Sequence, residues 1–193
     1  MRHALLLILG LAVLVGLGGC HLGAKRLARA PERWIQEQGG IVADVDVAPR
    51  ARVAWQAVTR ERREPRLRLR VLAAPSLSAF AWPSGEIFLT SGLVDALDDD
   101  EITAALAHEI GHLEAEALSS AAPGFAGLAS RAGSLAAEHR ADLFGLDLLE
   151  ARRIPGQAMV DMLRKVHARM VPGCATRAAL EDRIRLLEAT ASR

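Results

Sequence analysis

LAHEIGHLE, residues 106–114, holds two histidines four positions apart with a glutamate between them. On a helix, His108 and His112 lie on one face about one turn apart, so both imidazoles can reach a single ion. Glu109 is rotated from that face by about 100°. It is near enough to take a proton from a water beside the ion and badly placed to be a third ligand. Only six histidines occur in 193 residues, so a chance HExxH is an event on the order of one per cent. The spacing points to metal-assisted hydrolysis.

The flanking sequence supplies a frame for this helix. Asp98 and Glu101 form a capping-box start, and Asp99 and Asp100 suit the positive end of the helix dipole. Upstream, Ser78–Trp82 reads as a short strand, Pro83-Ser84-Gly85 as a turn and Glu86–Thr90 as a second strand. Leu93, Val94 and Leu97 then mark a short helix. Arg66–Leu72 alternates with period two, which predicts a strand with Leu67, Leu69 and Val71 inward and three arginines on a solvated face. Arg52–Glu61 predicts a short helix with Val53, Ala54, Ala57 and Val58 at helical spacing, stopped by Glu64-Pro65. Ala24–Gln38 predicts another, with Pro31 near its start or at a kink and Gly39-Gly40 at its end.

A zinc ion in a hydrolase takes three protein ligands and a water, so a third donor must come from another element. Ser134–Glu150 is a strong helix pattern with Leu135, Leu143, Leu146 and Leu149 among its apolar positions. It carries Glu138 and Asp142, which share one face. Glu138 can bind the ion while Asp142 orients a ligand histidine. His139 points about 100° away from Glu138 and is not read as a ligand. Residues 119–133, rich in Ala, Gly and Ser, predict a flap over the cleft. Ala158–Met170 predicts a helix with Met159, Met162, Leu163 and Val166 inward, and Ala178–Ala191 a last one with Leu180, Ile184 and Leu187 inward.

The run SAFAWPSGEIFLTSGLVDAL (78–97) followed by DDDEITAALAHEIGHLEAEA (98–117) resembles the HtpX-like and CAAX-prenyl-protease-like gluzincin zinc metallopeptidases, peptidase family forty-eight of the metallopeptidases. The likeness runs from about Val71 to Arg153 and more faintly to the C-terminus. Ser78 stands where the family usually has Asn, and Ser84 replaces one of its glycines. The resemblance implies an α+β fold: a mainly helical zincin domain with a small β-sheet whose edge strand borders the active-site cleft. It implies one Zn²⁺ per chain on His108, His112 and Glu138, with Glu109 as catalytic base and Asp142 holding a ligand histidine. It further implies that Ala79, Phe80 and Ala81 pair with an extended peptide substrate through their backbone. In the last segment the family's Arg-Ile pair is present as Arg183-Ile184, but Arg177-Ala178 replaces its His-Pro. Arg177 and His167 are the candidates for stabilising an oxyanion, since the chain has no tyrosine.

Composition fits one domain. Hydrophobic residues make up 51% and aromatics 4%, so the core is aliphatic, and a net charge of +1 gives no electrostatic case for nucleic acid. Arg2 and His3, an apolar run from Ala4 to Val15 and a glycine-rich exit read as an export signal. Its end, Leu17-Gly18-Gly19-Cys20, resembles a bacterial lipobox. The expected organisation is a signal peptide at 1–19, a lipid-anchored tether at 20–50 starting with a lipidated Cys20, and a metallopeptidase domain at 51–193. That would face the periplasm of a bacterial envelope. His21 after the lipidated cysteine favours the outer membrane by resemblance to known lipoproteins. Cys174 is either a buried inert thiol or a cap on the zinc. The expected function is a membrane-tethered zinc endopeptidase acting on protein or peptide substrates in envelope protein quality control, with an unidentified delivery partner. The alternative is a zinc-binding, chaperone-like module with little or no turnover.

Overall fold

A computed structural model describes residues 30, 32–42, 47–60, 67–82, 84–120, 135–170 and 175–191. The export segment, Cys20, the tether as far as position 29, the flap from 121 onward and Cys174 lie outside the described residues. The elements, in order, are α1 (Glu32–Glu37), α2 (Val47–Thr59), β1 (Arg68–Leu72), β2 (Ala79–Ala81) and β3 (Glu86–Thr90). They continue with α3 (Ser91–Ala96), α4 (Asp99–Ser120), α5 (Leu135–Ala151), α6 (Gln157–Ala168) and α7 (Ala175–Ala191). The fold is mainly helical α+β with one three-stranded sheet of order β1-β3-β2, as the sequence predicts. Among the described residues no helix is long and apolar enough to cross a membrane.

β3 is the centre of the sheet, and all five of its residues are buried. β1 pairs with it in parallel and β2 antiparallel, with Phe80 opposite Phe88. A strand covered on both faces cannot alternate polar and apolar. Ile87 and Leu89 face the helical core with Val71, Leu106 and Ile110. Phe88 and Leu72 face the other way, into a second cluster with Ala30 and Ile35, against which Trp34, Phe80 and Trp82 pack. Trp34 stands edge-on to Phe80 at 5.4 Å and to Phe88 at 5.5 Å between ring centroids.

The expectation of a solvated arginine face on β1 holds at Arg68, which is exposed, and this second cluster corrects it at the Arg70–Leu72 end. Leu72 is buried there, and Arg70 pairs with the buried Glu86 at 3.5 Å. α1 supplies the cover. It begins at Glu32, just after Pro31, and the predicted helical stretch from Ala24 to Arg29 lies outside the described residues. The Ala30 N–H donates to Glu86 Oε2 at 3.0 Å. Gly39 and Gly40 end the segment with φ of 101° and 78°. A Cβ at Gly39 would also lie 2.2 Å from the Ala73 carbonyl oxygen. Residues 30–42, read from sequence as tether, are thus packed on the sheet, and Ile41 bridges to Leu72.

α2 starts at Val47 rather than Arg52, with Pro49 accommodated in its first turn, where no N–H is needed. Its buried stripe is Ala51, Ala54 and Val58, while Val53 is 59% exposed. The expected inner face was therefore wrong at Val53: the stripe runs i, i+3, i+7 from a residue before the predicted start. Leu135 and Leu143 of α5 are likewise exposed. The face that α5 buries is built from Ala137, Ala141, Asp142, Gly145, Leu148 and Leu149. α6 and α7 bury Met159, Met162, Leu163, Leu180 and Leu187, as their periodicity predicts.

Candidate metal centre

α4 is fixed at its start by the reciprocal cap the sequence predicts. Asp98 Oδ1 accepts the Glu101 N–H at 2.9 Å, and Glu101 Oε2 accepts the Asp98 N–H at 2.7 Å. From there the helix runs into the core, with every residue from Glu101 to Gly111 buried. α5 crosses it so closely that a Cβ on Gly111 would lie 2.8 Å from the Ala141 carbonyl oxygen. That approach brings one face of α5 up to the two histidines.

His108, His112 and Glu138 converge, with one donor atom from each within 4.8 Å of the others. His108 Nε2 and His112 Nε2 are 3.1 Å apart, and each lies 3.5 Å from a Glu138 oxygen. Donors set tetrahedrally at ~2.0–2.1 Å from one ion are separated by about 3.3 Å. The donor set therefore fits zinc in chemistry and in spacing. Asp142, 0% exposed, lies with Oδ1 2.8 Å from His108 Nδ1. It accepts the Nδ1–H and so keeps Nε2 as the nitrogen turned toward the cluster. His139 is not part of the cluster.

Burial of His108 works against a positive charge, but the bonds to Asp142 and Glu138 win and raise it to about 9. Glu109 is pushed up to about 7, chiefly by burial, against the opposing pull of His108. His112 is lowered to about 4 by burial and by the neighbouring His108. Glu138 and Asp142 are both held below the usual carboxylate range. Burial opposes this, but His108 and Arg183 outweigh it.

Arg183 is the functional residue that sequence reasoning left without a role. It reaches from α7 with Nη1 2.8 Å from Glu138 Oε2, and its Nε and Nη2 donate to the two Asp142 oxygens at 2.8 and 2.7 Å. A signal was available. Leu180, Ile184 and Leu187 set the inward stripe of α7, and Arg183 falls within it. A charge on a buried stripe requires a partner. The two oxyanion candidates are engaged elsewhere. Arg177 donates to the carbonyls of His167 and Met170, and His167 pairs with Glu181 at 2.8 Å.

The centre opens into a cleft of about 820 Å³ between β2 and the helices α6 and α7. Its walls beyond the centre include Leu77, Leu93, Met162, Val166, Met170 and Leu180. β2 is the edge of the sheet. Thr90 N–H donates to the Ser78 carbonyl, and Trp82 N–H to that of Glu86. Antiparallel alternation then turns the backbone groups of Ala79 and Ala81 away from β3. The Ala81 N–H is taken by Glu109. The Phe80 ring lies on the opposite face of the sheet, stacked on Phe88 at 5.1 Å.

A search of curated proteins found no match to the chain. The sequence profile described as Peptidase family M48 matches residues 32–124. The match takes in α1 to α4, with His108, Glu109 and His112, and stops before Glu138, Asp142 and Arg183. The fold supplies those three, on α5 and α7, at the distances that complete the cluster. The HExxH helix thus lies inside a region, about half of the chain, that is similar to Peptidase family M48, and the fold delivers a glutamate donor to it from the next helix.

Proposed function

We propose that the protein is a zinc-dependent endopeptidase tethered to a bacterial envelope membrane through Cys20. Its proposed substrates are extended segments of unfolded or misassembled envelope proteins. The observation that carries the reading is the convergence of His108, His112 and Glu138 with Glu109 alongside. A zinc ion held by those three donors supplies a Lewis acid that lowers the pKa of a water toward ~7. Asp142 keeps His108 in the tautomer that offers Nε2. Glu109, raised to about 7 by burial, is poised to take a proton from the attacking water near neutrality. It then returns that proton to the leaving amine.

The edge at Ala79, together with the Ala81 carbonyl, supports binding of substrate as an added strand, with main-chain hydrogen bonds giving affinity with little sequence preference. The apolar cleft walls support side chains of the kind an unfolded protein exposes.

A zinc-binding chaperone-like module is the second reading. It is favoured by one observation: Arg177 and His167 are both bonded away from the cleft. One experiment separates the two. Metal analysis and casein or peptide cleavage are run on the soluble chain starting after Cys20, beside Glu109→Gln. Zinc with cleavage that Glu109→Gln abolishes supports the peptidase. Zinc without cleavage supports the module, and cleavage undiminished in Glu109→Gln refutes the assignment of the base.

A further inference from the structure

Asp142 is fully buried and Arg183 nearly so, and neither is explained by a cluster of three ligands alone. Two carboxylates on successive turns of α5 face one guanidinium from α7. The guanidinium is used as a fork: two parallel N–H bonds to Asp142 and a third bond to Glu138 Oε2. Bidentate pairs of this kind fix angle as well as distance. Among the described residues that line the cleft, Arg183 is the only lysine or arginine.

We propose that Arg183 is the positioning residue of the metal centre. Each Glu138 oxygen lies 3.5 Å from one of the two imidazoles, but Oε2 is also held by Arg183 at 2.8 Å, which leaves Oε1 as the oxygen free to be offered to the ion. Glu138 would then hold the ion through one oxygen, and a position would stay open for water. By holding both oxygens of Asp142, it fixes the group that orients His108. One side chain thus sets the direction of two of the three donors and joins the last helix to the centre. The charges agree. Two carboxylates and one guanidinium leave a single negative charge, so a divalent ion gives a centre of net +1 rather than a neutral one, and a better electrophile. Lysine matches the charge but not the fork, since an ammonium is a point donor.

The inference rests on the metal-binding part of the proposed function, and its test reads metal binding rather than turnover. Co²⁺ is titrated into the metal-free soluble chain and into Arg183→Lys and Arg183→Ala, with affinity taken from chelator competition and geometry from the visible absorption band. Circular dichroism checks folding. Loss of a group that orients metal ligands lowers metal affinity by about 10–100-fold. Arg183→Lys is expected at the lower end, folded, with an altered cobalt band. Arg183→Ala is expected at the upper end, or unfolded when metal-free. Wild-type affinity and an unchanged band in folded Arg183→Lys overturn the proposal, whether or not Arg183→Ala folds. Failure of the wild-type chain to bind cobalt or zinc overturns the metal centre itself and this inference with it.

Discussion

Gly111→Ala tests whether the spacing of the metal ligands is set by how closely α4 and α5 approach. The added Cβ would meet the Ala141 carbonyl oxygen at 2.8 Å and the Ala141 Cα at 2.9 Å. Ordinary carbon contacts begin near ~3.5 Å, so the helices must part by roughly 0.6–0.8 Å. Both atoms are backbone, and no rotamer change relieves the clash. Glu138 lies one turn before Ala141 and His112 directly follows Gly111, so the gap opens between donors now 3.5 Å apart. That takes them well past the ~3.3 Å of a tetrahedral set.

Overpacking of this kind costs about 1–3 kcal/mol. Alanine regains about 1 kcal/mol of helix propensity, so the net change in thermal stability is small. Affinity has no such offset, because binding must draw the helices back together. At about 1.4 kcal/mol per tenfold, the expected loss is about 10–100-fold in zinc affinity, read by chelator competition. Gly145→Ala is the control on the same interface. Its Cβ meets the flexible tip of Met159 at 2.6 Å and the His108 nitrogen only at 3.3 Å, and near-wild-type affinity is expected. A folded Gly111→Ala protein that binds zinc as tightly as wild type refutes the argument that this contact sets the donor spacing.

Glu109→Gln keeps an acceptor for the Ala81 N–H but cannot carry a proton. It should retain zinc and lose ~10²–10⁴-fold in cleavage rate, measured as kcat on a quenched peptide. Metal affinity should depend on pH through His108. In the metal-free protein that imidazole is raised to about 9 and is protonated at neutrality, and the ion must displace the proton. The affinity constant should therefore climb by about tenfold per pH unit up to roughly 9 and then level off. A flat profile between pH 7 and 9 in metal titrations refutes the coupling. Asp98→Ala removes one half of the α4 cap and should cost about 1 kcal/mol, a fall in Tm of about 2–4 °C, with zinc content unchanged. Trp34→Ala strips the aromatic support behind β2. It should raise KM several-fold while leaving zinc content alone, and an unchanged KM in the folded variant would separate α1 from the substrate edge.

The sequence determined whatever depends on residues near one another along the chain. HExxH at helical spacing, the Asp98–Glu101 cap, the two strands around Pro83-Ser84-Gly85 and the apolar stripes of α6 and α7 are local patterns that the fold reproduces. Glu138 and Asp142 were legible as a shared helix face, and the family resemblance tied them to the histidines. Tertiary structure alone decided which faces meet. The end of β1 at Leu72 could not be known to be covered, because α1 reaches it from more than thirty positions away in sequence, and a strand's pattern does not say what lies beyond its polar face. Val53 fell outside the core for a similar reason: the register of a short helix is set by what packs against it. Arg183 is the clearest case. Its stripe marked it as inward, but a guanidinium's partners are set by where α7 comes to rest against α5. That docking depends on the packing of side chains far apart in the chain.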